Sequence, residues 1–173
     1  MFDNNINYRQ KRILQLCCFN NLWSDKYQVE SHDLKSGKDI FNLPDHYGKN
    51  FDLVAAAPPC NQFTVANNRN WKDFPTLEVS IAKKCFAICQ HCDKWFLETT
   101  IGKIEKFLPE LSKYRIGIWQ SRVTCKNHTI YSNILLLFPY QKGKKSIVET
   151  RSVTWRESWQ PDFVDDLQNT INL

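Results

Sequence analysis

No stretch of this chain approaches the roughly 18 uncharged apolar residues needed to cross a bilayer. The N-terminus, Met1-Phe2-Asp3-Asn4-Asn5, lacks both the basic start and the apolar middle of a secretory signal. No repeat or low-complexity linker interrupts the sequence. These absences predict a soluble cytoplasmic protein with no membrane partner. A disulfide framework is missing as well. The seven cysteines are odd in number, irregularly spaced and in several cases set in apolar segments, which fits reduced core thiols in a reducing compartment.

What is present bounds the architecture. A chain of 173 residues, 42% apolar and 13% aromatic, can bury one sizeable core but not two comfortable ones. The net charge of +5 is modest. Lys142, Lys144 and Lys145 cluster, and Arg69 and Lys72 lie near one another, a balance compatible with a polyanionic partner and equally with simple solubilising charge.

Apolar runs alternate with helical periodicity. Ile13 to Cys18 reads as a buried strand, and Tyr27 to Leu34 as a second, with Asp33 near its end. Asp39 and Ile40 follow a turn at Gly37. Phe51 to Ala57 is a third strand, which Pro58-Pro59 must stop because proline donates no ladder hydrogen bond. From Thr76 to Asp93, Leu77, Ile81, Cys85, Ile88 and Cys92 recur at three- and four-residue steps and predict an amphipathic helix. Trp95 to Leu97 is then a strand ending at Glu98. Gly102 to Leu111 predicts a helix, Arg115 to Trp119 a strand, and Thr129 to Phe138 the longest strand.

This alternation predicts an α/β fold with a mostly parallel central sheet covered by helices on both faces. Ligands of such sheets bind beyond the carboxyl ends of the strands, where the loops after Cys18, Asp33, Ala57 and Leu97 would lie. Residues 1–140 form the expected catalytic domain, and residues 141–173 a polar C-terminal extension packed on it.

Cys60 directly follows two prolines and precedes polar Asn61 and Gln62, an odd place for a structural thiol and a natural one for a nucleophile. Cys89-x-x-Cys92 and Cys125-x-x-His128 have the spacing of a zinc site with three cysteines and one histidine. Cys85, Cys89 and Cys92 also share a helical face with Leu77, Ile81 and Ile88, so they are more simply core residues, and no metal is predicted. Phe63, Trp71 and Phe74 could stack on bases, although core or lid packing is the commoner fate of such residues.

The run Pro58-Pro59-Cys60-Asn61-Gln62-Phe63-Thr64 resembles the Pro-Cys loop of DNA cytosine-5 methyltransferases, especially the small phage-encoded type. The resemblance covers roughly residues 12–138 and keeps the family's order. It implies a Rossmann-like fold dependent on S-adenosylmethionine, without a large target-recognition domain. By this resemblance Cys18, Phe19, Asn20, Asn21 and Trp23 fall in the cofactor loop. Asp33 is the ribose-binding acid, Asp39 and Ile40 contact adenine, and Pro58 borders the cofactor. Cys60 is the nucleophile, with Pro59, Asn61, Gln62, Phe63 and Thr64 around the substrate. Leu97-Glu98-Thr99-Thr100-Ile101-Gly102 takes the place of the Glu-Asn-Val or Glu-Asn-Pro motif, so Glu98 is the base-contacting acid and Thr99 stands where asparagine is usual. Gln120-Ser121-Arg122 resembles the Gln-x-Arg motif and nominates Arg122.

One departure is plain: Cys18-Phe19-Asn20-Asn21-Leu22-Trp23-Ser24 contains no glycine, whereas the family's cofactor loop is glycine-rich. Asparagine tolerates positive φ best among the other residues, so Asn20 and Asn21 are expected to keep the turn. The partner implied is DNA, with specificity left to short loops or to a protein partner. A methyltransferase-like domain that has lost catalysis and binds nucleic acid or protein is the alternative expectation. A thiolate enzyme acting on pyrimidines without S-adenosylmethionine is a third.

Overall fold

The computed structural model describes residues 11–18, 27–33, 36–60, 63, 77–100, 102–120 and 127–134, with the side chains of 119 and 120 excepted. Phe19, Asn20, Asn21, Trp23, Asn61, Gln62, Thr64, Arg122 and Cys125, and the extension 141–173, lie outside the described residues.

The fold is α/β. Six strands form one sheet: β1 Arg12–Leu16, β2 Gln28–His32, β3 Leu53–Ala56, β4 Trp95–Thr100, β5 Arg115–Gln120 and β6 Asn127–Ser132, in the order β2-β1-β3-β4-β6-β5. The pairings of β1 with β2, β1 with β3, and β3 with β4 are parallel. β6 is antiparallel to both β4 and β5.

The expected mostly parallel sheet is therefore corrected to a mixed one. The reason lies in connection length. Parallel neighbours need a crossover of a dozen or more residues, and only residues 121–126 separate β5 from β6, so the chain turns straight back.

β3 sits centrally, and all four of its residues, Leu53, Val54, Ala55 and Ala56, are fully buried. A strand covered on both faces reads as a continuous apolar run, which is the pattern seen in the sequence. Alternation along the strands then divides the core. Leu14, Leu16, Val54, Ala56, Trp95 and Leu97 join the larger cluster, while Ile13, Leu53, Ala55, Phe96 and Ile130 form a second on the opposite face. Each fully buried Leu, Ile or Phe contributes about 1.5–3 kcal/mol of transfer free energy.

The helices also depart from the expectation of two covered faces. All described helical segments pack into the larger cluster, on one face. The main one, α1 (Leu77–Cys89), buries Val79, Ala82, Cys85, Phe86, Ile88 and Cys89. Leu77 remains 68% exposed, so the buried stripe is rotated from the one read in the sequence.

The expected helix Gly102 to Leu111 is instead two 3-10 segments, Ile104–Lys106 and Pro109–Tyr114. Pro109 has no N–H to continue a helix and its ring clashes with the preceding turn.

Another 3-10 segment, Asp45–Asn50, presses against α1 at Gly48, where an added Cβ would lie 2.4 Å from the Ile88 carbonyl oxygen. No side chain fits there. The strand reading over Thr129 to Phe138 is described only as far as Ser132, and residues 135–138 lie outside the described residues. No described helix is long and apolar enough to cross a membrane.

Candidate active site

The strand order reverses direction of growth between β1 and β3, and in open α/β sheets ligands bind beyond the carboxyl ends of the strands at such a switch point. A cavity of about 340 Å3 lies there, lined by Cys17, Asp33, Gly37, Lys38, Asp39, Ile40, Phe41, Pro59, Leu77 and Ile81. That volume falls within the roughly 300–1,000 Å3 of small-molecule pockets. Leu77 and Ile81, four residues apart, form the helical wall; Leu77 is exposed where core packing was expected, while Ile81 also packs against the larger cluster.

The acids that line the cavity are held by their own turns. Asp33 Oδ1 accepts from the Ser36 N–H at 2.8 Å, and Ser36 Oγ accepts from the Asp33 N–H at 3.0 Å. Gly37, at φ +68°, completes this turn in the left-handed region. Asp39 caps the 3-10 segment Ile40–Asn42, with its Oδ1 accepting from the Phe41 N–H at 2.9 Å. Both carboxylates are thus held in place through one oxygen.

The cavity modifies two sequence expectations. Cys18 does not line it; the Cys18 thiol turns to the opposite face and donates to the Leu16 carbonyl at 3.2 Å. Burial, followed by the neighbouring Cys17, pushes that thiol well above its ordinary value. Cys17 takes its place at the cavity wall. It has φ +59°, the left-handed conformation that glycine ordinarily supplies, at a cost of about 1–3 kcal/mol for other residues. Asn20 and Asn21 were the residues expected to carry such a turn, and Cys17 gave no sign of it because φ leaves no mark on a cysteine in sequence. Likewise Pro59 lines the cavity, whereas Pro58 is buried and is not among its lining residues.

Beside the cavity is the Cys60 loop. β3 ends against the prolines, and the chain is then pinned on both sides of a short turn. The Phe63 N–H donates to the Cys60 carbonyl at 3.0 Å, and the Lys103 N–H donates to the Phe63 carbonyl at 2.7 Å. Phe63 is fully buried and packs on Phe107 with ring centroids 5.9 Å apart. It anchors the loop from the core and offers no face to a substrate.

Cys60 itself is half-buried at the edge of the larger cluster. Burial and, next, the Glu98 charge push its thiol up. The resting group is a neutral thiol, which must lose its proton before it can attack.

Glu98 lies on the next strand, near the same carboxyl edge of the sheet. On β4, Trp95 and Leu97 face the helices, so Glu98 and Thr100 project to the other side. Glu98 is 7% exposed and accepts a hydrogen bond from His128 Nδ1 on β6. Thr99 points back to the helical side, 1% exposed, and its hydroxyl has no hydrogen-bond partner among the described residues.

His128 is the residue that sequence reasoning missed in this role. The spacing Cys125-x-x-His128 drew attention to zinc instead. Cys89 and Cys92 belong to the helical face, and His128 lies across the sheet against Glu98. No cluster of three or more metal-binding side chains occurs among the described residues. Cys92 instead donates to the Phe51 carbonyl at 3.4 Å, as a core thiol does.

The Cys60 loop and the Glu98–Thr100 end of β4 therefore leave the same carboxyl edge of the sheet, with Asp33, Asp39, Ile40 and Pro59 around an adjoining cavity. A thiol beside a carboxylate, next to a pocket with fixed acids, can support covalent addition to an electron-poor ring while proton exchange occurs at the acid. No protein-family model matches the chain, and no curated protein matches it closely enough to count as a relative.

Proposed function

We propose that this chain is a Rossmann-like, S-adenosylmethionine-dependent DNA cytosine-5 methyltransferase domain in which Cys60 is the nucleophile and Glu98 the base-contacting acid. One observation carries the reading. The parallel pairing of β3 with β4, Ala56 beside Leu97, sends the Cys60 loop and the Glu98–Thr100 end of β4 out of the same carboxyl edge of the sheet.

Cytosine C5 is a poor nucleophile until a group adds at C6. Attack by Cys60 Sγ forms the S–C6 bond, moves the C5=C6 pair into C4=C5 and pushes the C4=N3 pair onto N3. The Glu98 carboxylate first takes the Cys60 thiol proton and then passes it to N3, and it meets the edge by which the base is recognised. The same reading has Cys60 leave as a thiolate once C5 has gained its methyl group and given its proton to water, while N3 returns its proton to Glu98 and so to the sulfur. Because a stacked base hides C6, the target must be flipped or single-stranded.

The cavity fits the cofactor's chemistry. Asp33 and Asp39 would hold hydroxyl and amine groups, and Ile40 and Phe41 would cover an apolar ring. When bound, the cofactor supplies a methyl group activated on a sulfonium. Its acceptor is DNA in this reading, and a protein partner would add target recognition.

The runner-up is a methyltransferase-like domain without catalysis that binds nucleic acid or protein. The raised Cys60 thiol and the glycine-free turn at Cys17 favour it. Trapping separates the two. With S-adenosylmethionine and DNA containing 5-fluorocytosine, the wild type should form a covalent complex that Cys60→Ser cannot. Calorimetry showing cofactor binding but no trapping would leave the binding module; no heat at millimolar cofactor would remove the methyltransferase reading.

A further inference from the structure

Glu98 is a buried acid on a sheet face that is otherwise apolar at Phe96, Ala55 and Ile130. A carboxylate in such a place needs a partner, because an unpaired buried charge costs several kcal/mol. The partner comes from the antiparallel flank. β4 and β6 pair Glu98 with Ile130 and Thr100 with His128, so Glu98 and His128 are diagonal neighbours on one face, within reach of each other's side chains. The His128 Nδ1 to Glu98 Oε1 hydrogen bond joins two groups that are 9% and 7% exposed.

We propose that His128 is a positioning residue for Glu98, holding one carboxyl oxygen so that the other is presented to the target base. The inference rests on the methyltransferase reading. Oε1 is committed to His128, which leaves Oε2 to meet the base edge and deliver the proton that N3 takes. That proton is the one the Glu98 carboxylate has taken from the Cys60 thiol, and it returns by the same route when the S–C6 bond breaks, while the Nδ1 hydrogen stays shared with Oε1. Carboxyl rotation would otherwise spread the donor over several orientations, and holding it in one removes that entropy from the barrier. An imidazole suits the task because its Nδ1 sits on a short, stiff side chain. Asparagine can place an N–H in nearly the same position; alanine cannot.

The test has two arms, both on the full chain. In the first, the ring N–H of His128 is followed by nitrogen-15 NMR. It should appear far downfield and exchange slowly with water, and move upfield in Glu98→Gln as the charge-assisted bond weakens. In the second, trapping on 5-fluorocytosine DNA is timed. His128→Ala should slow it by about tenfold to a hundredfold, and His128→Asn should recover most of the rate, which a merely space-filling role would not predict.

Trapping by His128→Ala at the wild-type rate, or a His128 resonance indifferent to Glu98→Gln, would overturn the inference while the methyltransferase reading stood. A wild type that never traps the base, with the His128 resonance still following Glu98, would overturn that reading. The positioning role would fall with it, although the pair would remain.

Discussion

The two faces of the sheet treat polar and sulfur-bearing side chains in opposite ways. On the helical face Cys17, Cys85, Cys89 and Cys92 are buried among leucines and aromatics, and the Cys17 and Cys85 sulfurs lie 3.8 Å apart. Burial raises Cys89 well above its ordinary value. These thiols are core filling. The other face buries Gln15, Glu98 and His128 among apolar neighbours, where each polar group must be held by a partner. Packing dictates the first face. The second keeps polar chemistry that packing alone would discard, and it does so next to the rim where Cys60 emerges.

If that contrast is real, changes on the helical face should be read out in stability and changes near Glu98 in reactivity. The largest effect is expected at Phe63, which ties the Cys60 loop to the helical core. Phe63→Ala should cost about 3–5 kcal/mol in denaturant unfolding. A loss under about 1 kcal/mol would mean that the ring is free and the loop is held by something else. Gly48→Ala should cost about 1–3 kcal/mol, because its methyl meets the Ile88 carbonyl and the backbones must separate. The smallest effect concerns the Lys84 ion pair with Asp45, 2.6 Å apart but with Asp45 largely exposed. Lys84→Ala should cost less than about 1 kcal/mol, and less still in high salt.

The comparison also shows what the sequence could convey. The fully buried β3, its proline stop, the Cys60 loop and the existence of α1 were all legible, because each rests on local pattern or on backbone chemistry. The stripe on α1 was misplaced by Leu77 and Ile81, which face a cavity whose other walls come from distant loops. The antiparallel flank was missed because periodicity marks a strand and not its direction. His128 could be matched to Glu98 only through the β4–β6 register, which no spacing reveals. Cys17 takes a left-handed backbone that nothing in the sequence marks, while Asn20 and Asn21, where such a turn was expected, lie outside the described residues.

The account stands on the closeness of the Cys60 thiol to the Glu98 carboxylate. The direct measurement is the rate of Cys60 alkylation against pH, read by site-resolved mass spectrometry in the wild type and in Glu98→Gln. An unperturbed thiol ionises near about 8.5, and burial with Glu98 beside it should place the wild-type midpoint above that. Replacing the carboxylate removes a negative charge that opposes the thiolate, so Glu98→Gln should move the midpoint down and speed alkylation at pH 8 while the fold persists. A midpoint unchanged by Glu98→Gln would contradict the account, because the acid would then lie too far from the sulfur to share a substrate with it.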